Sequence, residues 1–450
     1  MSESKETEVE RDFEDLNLYD NLKTYFQSSM AIFGSLAEMM QEDMFGREIV
    51  HHTDSGERIV RAHPREVDNG MFYKLTDSME SRWSELPHYT DCAGAFASSD
   101  LYKKELGLAK QNDIIEDVDD PEDHIKNDSL PKLFTRYLEK QGNFSFNEDV
   151  FKEVYAEFEQ YLKAEEVEYQ SQAILDNFWM EEDRLELEED LIFRTLDEDE
   201  VENLSPPIRR RVTGDSKDVY VIEKTYEVPK FTELRAEEAI DAFQDVVLTL
   251  RLFERNGDVR YQRIFTEPIS PFHKGNETSG GEPNIRFFGS RYEMDSEDCE
   301  EFKEFWTVMS EQIDDPPETY RIALDKFSHS FRRQNENDRL LDSVIALEAL
   351  YLKTGEQQEM SFRLSQRGAL LLGESREKAE EIKQALKEAY STRSTLVHGG
   401  QTDVGHDFVS NLHDITRRTL SEFLKLNNSG KSHEEIIESL DGKAVTPIED

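Results

Sequence analysis

Charge, and the uneven way it is spread, limits what this chain can fold into more than any other feature. Its 450 residues carry 53 Lys plus Arg against 99 Asp plus Glu, a formal net charge of -46. So acidic a surface stays hydrated in concentrated salt, which leads us to expect a halophile's cytoplasm. Residues 318–430 depart from the pattern: they hold 16 basic and 17 acidic side chains, net -1, leaving -45 for the rest. A near-neutral segment in such a chain suits a surface whose ligand is itself an anion, and RNA fits that description. The candidate contacts are Arg332, Arg333, Arg339, Arg363, Arg367, Arg417 and Arg418, alongside Arg393. Helical domains also use arginine in surface pairs with glutamate, and the same residues suit that role. Strong salt weakens a purely electrostatic grip, so stacking and bidentate contacts would carry more of any RNA binding.

The length predicts two or three domains. No apolar run approaches membrane-spanning length, and Met1 to Glu10 is acidic rather than basic-then-apolar, so neither a membrane partner nor a secretory signal is expected. Cys92 and Cys299 are too few for a disulfide framework or a thiolate zinc site. Residues 1–20 read as a disordered acidic arm. Asn21 to Met40 carries Leu22, Tyr25, Phe26, Met30, Phe33, Leu36 and Met39 at helical spacing. Residues 111–130 read as an acidic, turn-rich break. Helices follow over Leu130 to Lys140 and Asn147 to Ala164, the second with a stripe of Phe151, Val154, Tyr155, Phe158 and Leu162 that belongs in a core.

After Pro206-Pro207 the texture alternates. Strands are expected around Val219 to Tyr226, Val259 to Phe265 and Ile285 to Tyr292, with a helix over Ala236 to Glu254. The glycine-rich stretch Lys274 to Pro283 lacks a phosphate-cradling Gly-x4-Gly-Lys pattern and reads as a flexible connector, so no nucleotide cofactor is implied. A helix over Ser296 to Gln312 leads to Asp314-Asp315-Pro316-Pro317, the sharpest boundary in the chain. Beyond it, Tyr320 to Arg333, Asp338 to Lys353, Ser361 to Leu372, Glu377 to His398 and Val404 to Leu426 form five helical segments with short links, the pattern of an up-and-down bundle. The fold class is therefore mixed: an α+β N-terminal and middle region, 21–315, with a sub-boundary near 205, then an all-α bundle over 316–427 and a polar tail over 428–450.

Within that bundle Arg393-Ser394-Thr395-Leu396-Val397-His398 closes a helical run that Gly399-Gly400 stops at once, as a left-handed C-cap would. Arginine stays charged and forks onto phosphate oxygens, and histidine gives or takes a proton near neutral pH. Two other pairs share the spacing, Arg47 with His52 and Arg58 with His63, but they lie in a polar segment without a helical stripe. Histidines 51, 52 and 63 would make metal ligands only if a helical or strand framework converged them, and the segment shows none. Glu348 stands on the apolar stripe of Leu341, Val344, Ile345, Tyr351 and Leu352, where a carboxylate needs a partner. Arg363, Arg367 or Arg393 could supply it.

Three blocks in order, Asp338 to Leu350 around Glu348, Arg363 to Gly373 around Arg367, and Ala389 to Gly399 around Arg393 and His398, resemble the ApeA-like branch of the HEPN superfamily. The likeness covers about residues 318–426. It implies a helical bundle that forms a homodimer with two motifs facing one cleft, and a metal-independent endoribonuclease of phage defence or stress responses. On that resemblance Arg393 would grip the scissile phosphate and His398 would act as acid or base while the 2′-hydroxyl attacks, leaving a 2′,3′-cyclic phosphate. Ser394 departs from the Asn, Asp or His that many active relatives carry there, though its hydroxyl still donates a hydrogen bond. The alternative is a non-catalytic module of the same type that binds RNA or a nucleotide, or dimerises, in the service of an N-terminal sensor. Positions five apart on a straight helix differ by about 140° around its axis. Arg393 and His398 therefore converge only if the last turn distorts or if the two come from different subunits.

Overall fold

A computed structural model describes residues 13–45, 49–53, 56–60, 76, 79–112, 121–203, 218–231, 236–253, 258–273, 277–280, 291–353, 358–400 and 403–443. The chain forms two compact units: Met1–Tyr169 with Glu227–Leu234 and Pro268–Gly275, and Gln170–Tyr226 with Arg235–Glu267 and Asn276–Asp450. No helix among the described residues is long and apolar enough to cross a membrane.

The first unit is built from helices α1 (Leu16–Phe45), α2 (Tyr89–Ser98), α3 (Asp100–Gln111), α4 (Leu130–Gln141) and α5 (Glu148–Lys163). Their aromatic residues recur at helical spacing and meet inside: Phe26 stacks on Phe134 at 3.8 Å, and Phe151, Tyr155 and Phe158 from the expected stripe are buried. The first helix begins earlier than its apolar stripe suggested, at Leu16, because Leu18 and Tyr19 are already buried and Asp15 accepts from the Leu18 N–H. Part of the supposed break at 111–130 is helical too. Residues 122–129 run through a π-helical turn straight into α4, with Ile125 and Ser129 buried. Strands β1 (Ile49–Thr53) and β2 (Gly56–Val60) pair antiparallel, placing His51 opposite Arg58 and His52 opposite Glu57, so this segment does have a strand framework. Residues 1–12 and His63 lie outside the described residues.

Strands β3 (Glu166–Asp176), β4 (Phe178–Met180), β5 (Arg184–Glu188) and β6 (Leu191–Thr195) come next, then a short helix α6 (Glu198–Asn203), β7 (Tyr220–Pro229), α7 (Ala236–Phe253), β8 (Arg260–Pro268), β9 (Glu277–Gly280) and β10 (Tyr292–Met294). Six of the strands make one sheet in the order β5-β6-β7-β3-β8-β9, and β4 pairs with β10 in parallel. The expected strands near 219–226 and 259–265 are present. Strand β9 corrects the reading of Lys274 to Pro283 as a plain connector, since it pairs antiparallel with β8. Of the strand expected over Ile285 to Tyr292, residues 285–290 lie outside the described residues and Tyr292 opens β10.

Helix α8 (Ser296–Asp314) starts on a full capping box at Asp295 and ends at the Asp-Asp-Pro-Pro break. The helices beyond it are α9 (Glu318–Phe331), α10 (Glu336–Tyr351), α11 (Met360–Leu372), α12 (Arg376–Val397), α13 (His406–Asn428) and α14 (His433–Lys443). The first five match the expected segments closely. The last corrects the polar tail, because Ile436, Ile437 and Leu440 are buried in the same apolar cluster as Leu350, Leu386 and Phe423. That cluster also takes in Leu248, Leu252, Met309 and Ile313, so the helices after Glu318 share a core with α7 and α8. Close approach of α11 and α12 depends on Gly368, where an added Cβ would come within 2.3 Å of the Leu386 side chain.

Candidate functional site

Helix α12 carries the motif. Ser375 caps its start by accepting from the Lys378 N–H at 3.2 Å. Its other end closes as the paired glycines foretold: the Gly400 N–H donates to the Thr395 carbonyl at 2.9 Å, the Gly399 N–H donates to Leu396 at 3.1 Å, and Gly399 sits at φ 79°. Those two bonds and the left-handed residue make a Schellman motif, which holds His398 at the helix cap. The imidazole is exposed and, among the described residues, has no hydrogen-bond partner.

Glu348 reaches the site from α10, which Asn335 caps by accepting from the Asp338 N–H at 2.9 Å. One face of α10 buries Leu340, Val344 and Leu347, and Glu348 stands at the edge of that face with 16% of its side chain exposed. Its Oε2 lies 3.5 Å from Nη2 of Arg393, whose side chain is 29% exposed. A charge-assisted hydrogen bond usually spans ~2.7–2.9 Å, so the contact steers the guanidinium without saturating it. Among the described residues neither Oε1 of Glu348 nor Nε of Arg393, both buried atoms, has a hydrogen-bond partner. Burial pushes the Glu348 carboxyl above the usual carboxylate range, and the Arg393 charge opposes that push. Of the three partners the sequence allowed for Glu348, Arg393 is the one in contact.

The other expected RNA contacts divide sharply. Arg367 is 2% exposed; its Nε and Nη2 fork onto both carboxylate oxygens of Asp441 at 2.8 and 2.9 Å, and its Nη1 donates to the Tyr351 carbonyl. Arg339 is 4% exposed, with Nε donating to the Arg333 carbonyl at 3.1 Å. Neither can face RNA, so both are corrected to internal roles. Arg333 is bound to Asp342 at 2.6 Å. Arg417 donates to the carbonyls of Leu252 and Phe253 and pairs with Asp414, and Arg418 donates to the Leu372 carbonyl. Arg332 and Arg363 are half-buried. The balance of charge in 318–430 therefore reflects internal arginine contacts more than a cationic surface.

Helix α12 stays α-helical through Val397, so its last turn does not distort to bring Arg393 and His398 together. Ser394 is half-buried, and its carbonyl accepts from the His398 N–H at 3.2 Å. Sequence reasoning missed a cleft beside the motif, about 450 Å³ between α11 and α12, lined by Phe362, Lys383, Lys387 and Tyr390 among others. Its signal was present in the spacing of Lys383, Lys387 and Tyr390 on one helical face. Among the described residues no group of three His, Cys, Asp or Glu side chains is placed to hold a metal ion. No protein-family model, curated protein or solved structure matches this chain.

Proposed function

We propose that this chain is a metal-independent endoribonuclease of the HEPN type, acting in phage defence or a stress response and working as a cytoplasmic homodimer. The observation that carries the reading is the under-coordinated Arg393 guanidinium, steered by Glu348 at 3.5 Å, on a helix whose glycine cap presents an exposed His398. A buried, saturated arginine could not take up a phosphate; this one keeps donors to spare. In the proposed reaction Arg393 forks onto the non-bridging oxygens of the scissile phosphate. The 2′-oxygen attacks phosphorus as its proton leaves to a base, the bond from phosphorus to the 5′-oxygen breaks, and an acid returns a proton to the departing oxygen. His398 serves as that acid or base. The products are a 2′,3′-cyclic phosphate and a 5′-hydroxyl. The undistorted last turn favours sharing between subunits, with the histidine of one protomer acting beside the arginine of its partner across a two-fold axis. The N-terminal region then serves as sensor or specificity element.

The test is cleavage of total RNA in high-salt buffer with EDTA by wild type, Arg393→Ala and His398→Ala, with the new ends mapped. Loss of a general acid or base costs ~10²–10⁴-fold, and both variants are expected to fall by at least ~100-fold with their folding intact. Cleavage surviving in both excludes the site. Binding without cleavage, lost in Arg393→Ala but kept in His398→Ala, identifies instead a non-catalytic RNA-binding module, which Ser394 favours.

A further inference from the structure

Helix α12 lines two clefts of different character. Its first turns line an acidic cleft of Arg376, Glu377, Glu380, Glu381 and Gln384. Further along, at about 100° per residue, Lys383, Lys387, Tyr390 and Ser394 fall within roughly 60° of one another around the axis. They form one stripe that ends beside Arg393. The cleft between α11 and α12 lies on this stripe: Lys383, Lys387 and Tyr390 form one wall, and Met360, Phe362 and Ser365 form the other. The hydroxyl of Tyr390 lies 3.5 Å from the Met360 sulfur, which fixes the ring against the facing helix. Phe362, which lines the cleft, is 54% exposed, so its ring is open to a ligand. Glu359 also lines the cleft and partly offsets the lysines, and Lys383 stands 3.9 Å from Glu380.

We propose that this cleft is a single-stranded RNA subsite feeding the Arg393 centre. Phe362 and Tyr390 offer π-faces to unpaired bases, and Lys383 and Lys387 hold the phosphates between them. Aromatic platforms interleaved with cations recognise single strands because every base has a face to stack, whereas a duplex hides its faces. Stacking persists where salt screens charge, which matches a chain of net charge -46. The assignment rests on the ribonuclease reading only for where the strand leads, since binding in the cleft needs no cleavage.

The experiment uses the full chain and a single-stranded 2′-deoxy oligonucleotide, which has no 2′-hydroxyl to attack, carrying one 2-aminopurine. Wild type should quench the 2-aminopurine on binding. Phe362→Ala should reduce the quench, leaving only the Tyr390 ring to stack, and weaken affinity about tenfold. Lys383→Gln with Lys387→Gln should lower the slope of log affinity against log salt by about 1.4, the value for two phosphates on a single strand. With cleavable RNA the same variants should raise KM and leave kcat unchanged. If wild type cleaves in an Arg393-dependent way while these variants bind, quench and cleave as wild type, the subsite is overturned and the nuclease reading stands. If wild type binds and quenches through Phe362 but never cleaves RNA, the subsite stands and the nuclease reading falls. If Phe362→Ala leaves RNA affinity unchanged but dissociates a dimer, the cleft belongs to a second copy and the proposal is wrong.

Discussion

Two arginine and histidine pairs of the C-terminal bundle, one in its interior and one at its rim, are treated in opposite ways. Arg367 is buried and saturated, forked onto Asp441 and a backbone carbonyl. His413 is also buried, against the rings of Phe327 and Phe331. At the rim Arg393 has one long ion pair, and His398 is exposed beyond the last helical residue. Residue type alone does not separate a structural cation from one that can meet a ligand. What separates them is whether the folded chain has already spent the donors.

The largest effect should come from breaking the interior pair. Arg367→Ala leaves Asp441 without its fork and opens a cavity, and removing one member of a buried ion pair costs ~3–5 kcal/mol. The Asp441 side chain is 45% exposed, so the low end of that range is expected. Arg393→Ala should cost less by the urea midpoint, because its contact with Glu348 is long at 3.5 Å and both side chains keep some exposure. Equal losses would end the contrast. The second effect is a pH dependence. Burial holds the His413 imidazole down to about 3, with the Arg339 and Arg251 charges adding to it. The unfolded chain takes up a proton near pH 6.5 that the folded bundle refuses, so this residue's stability is complete above about pH 6.5 and is lost as pH falls toward 3, by up to ~1.4 kcal/mol per unit. The wild-type slope between pH 4 and 6.5 should be steeper than that of His413→Gln, and equal slopes would remove His413 from the interior set. The smallest effect concerns Glu348. Its raised carboxyl value means that the folded state prefers the protonated form and loses stability as pH rises through that value. Glu348→Gln should therefore be slightly more stable than wild type at pH 7, with the difference vanishing below about pH 4, near the ordinary carboxylate range. On the proposed nuclease reading, RNA cleavage by this variant should also fall, because Arg393 loses its guide. A variant less stable at pH 7 would mean that the ion pair outweighs the burial.

Much of this bundle is legible in the sequence. The stripes over Tyr320 to Arg333, Glu377 to His398 and Val404 to Leu426 became helices because a 3.6-residue period survives on a polar chain, and Gly399-Gly400 announced a left-handed cap that local sterics demand. Glu348 stands out in the sequence as a carboxylate on an apolar stripe, and it is the residue facing Arg393. Strand β3 went unread because Glu, Gln and Ser fill its alternating pattern, although Val167, Tyr169, Ser171 and Ala173 are all buried. Helix α14 went unread because only Ile436, Ile437 and Leu440 mark its apolar face among acids.

By itself the sequence determined the periodic elements, their caps and the placement of one arginine and one histidine at a helix end, since each depends on residues within a turn or two of one another. Only the tertiary structure decided which arginines are spent and which are open. Arg367 and Asp441 are 74 residues apart, and no local rule links them. Packing α14 onto α11 brings that carboxylate to Arg367, whereas Arg393 receives a single oxygen from α10 at 3.5 Å and is left with no such fork.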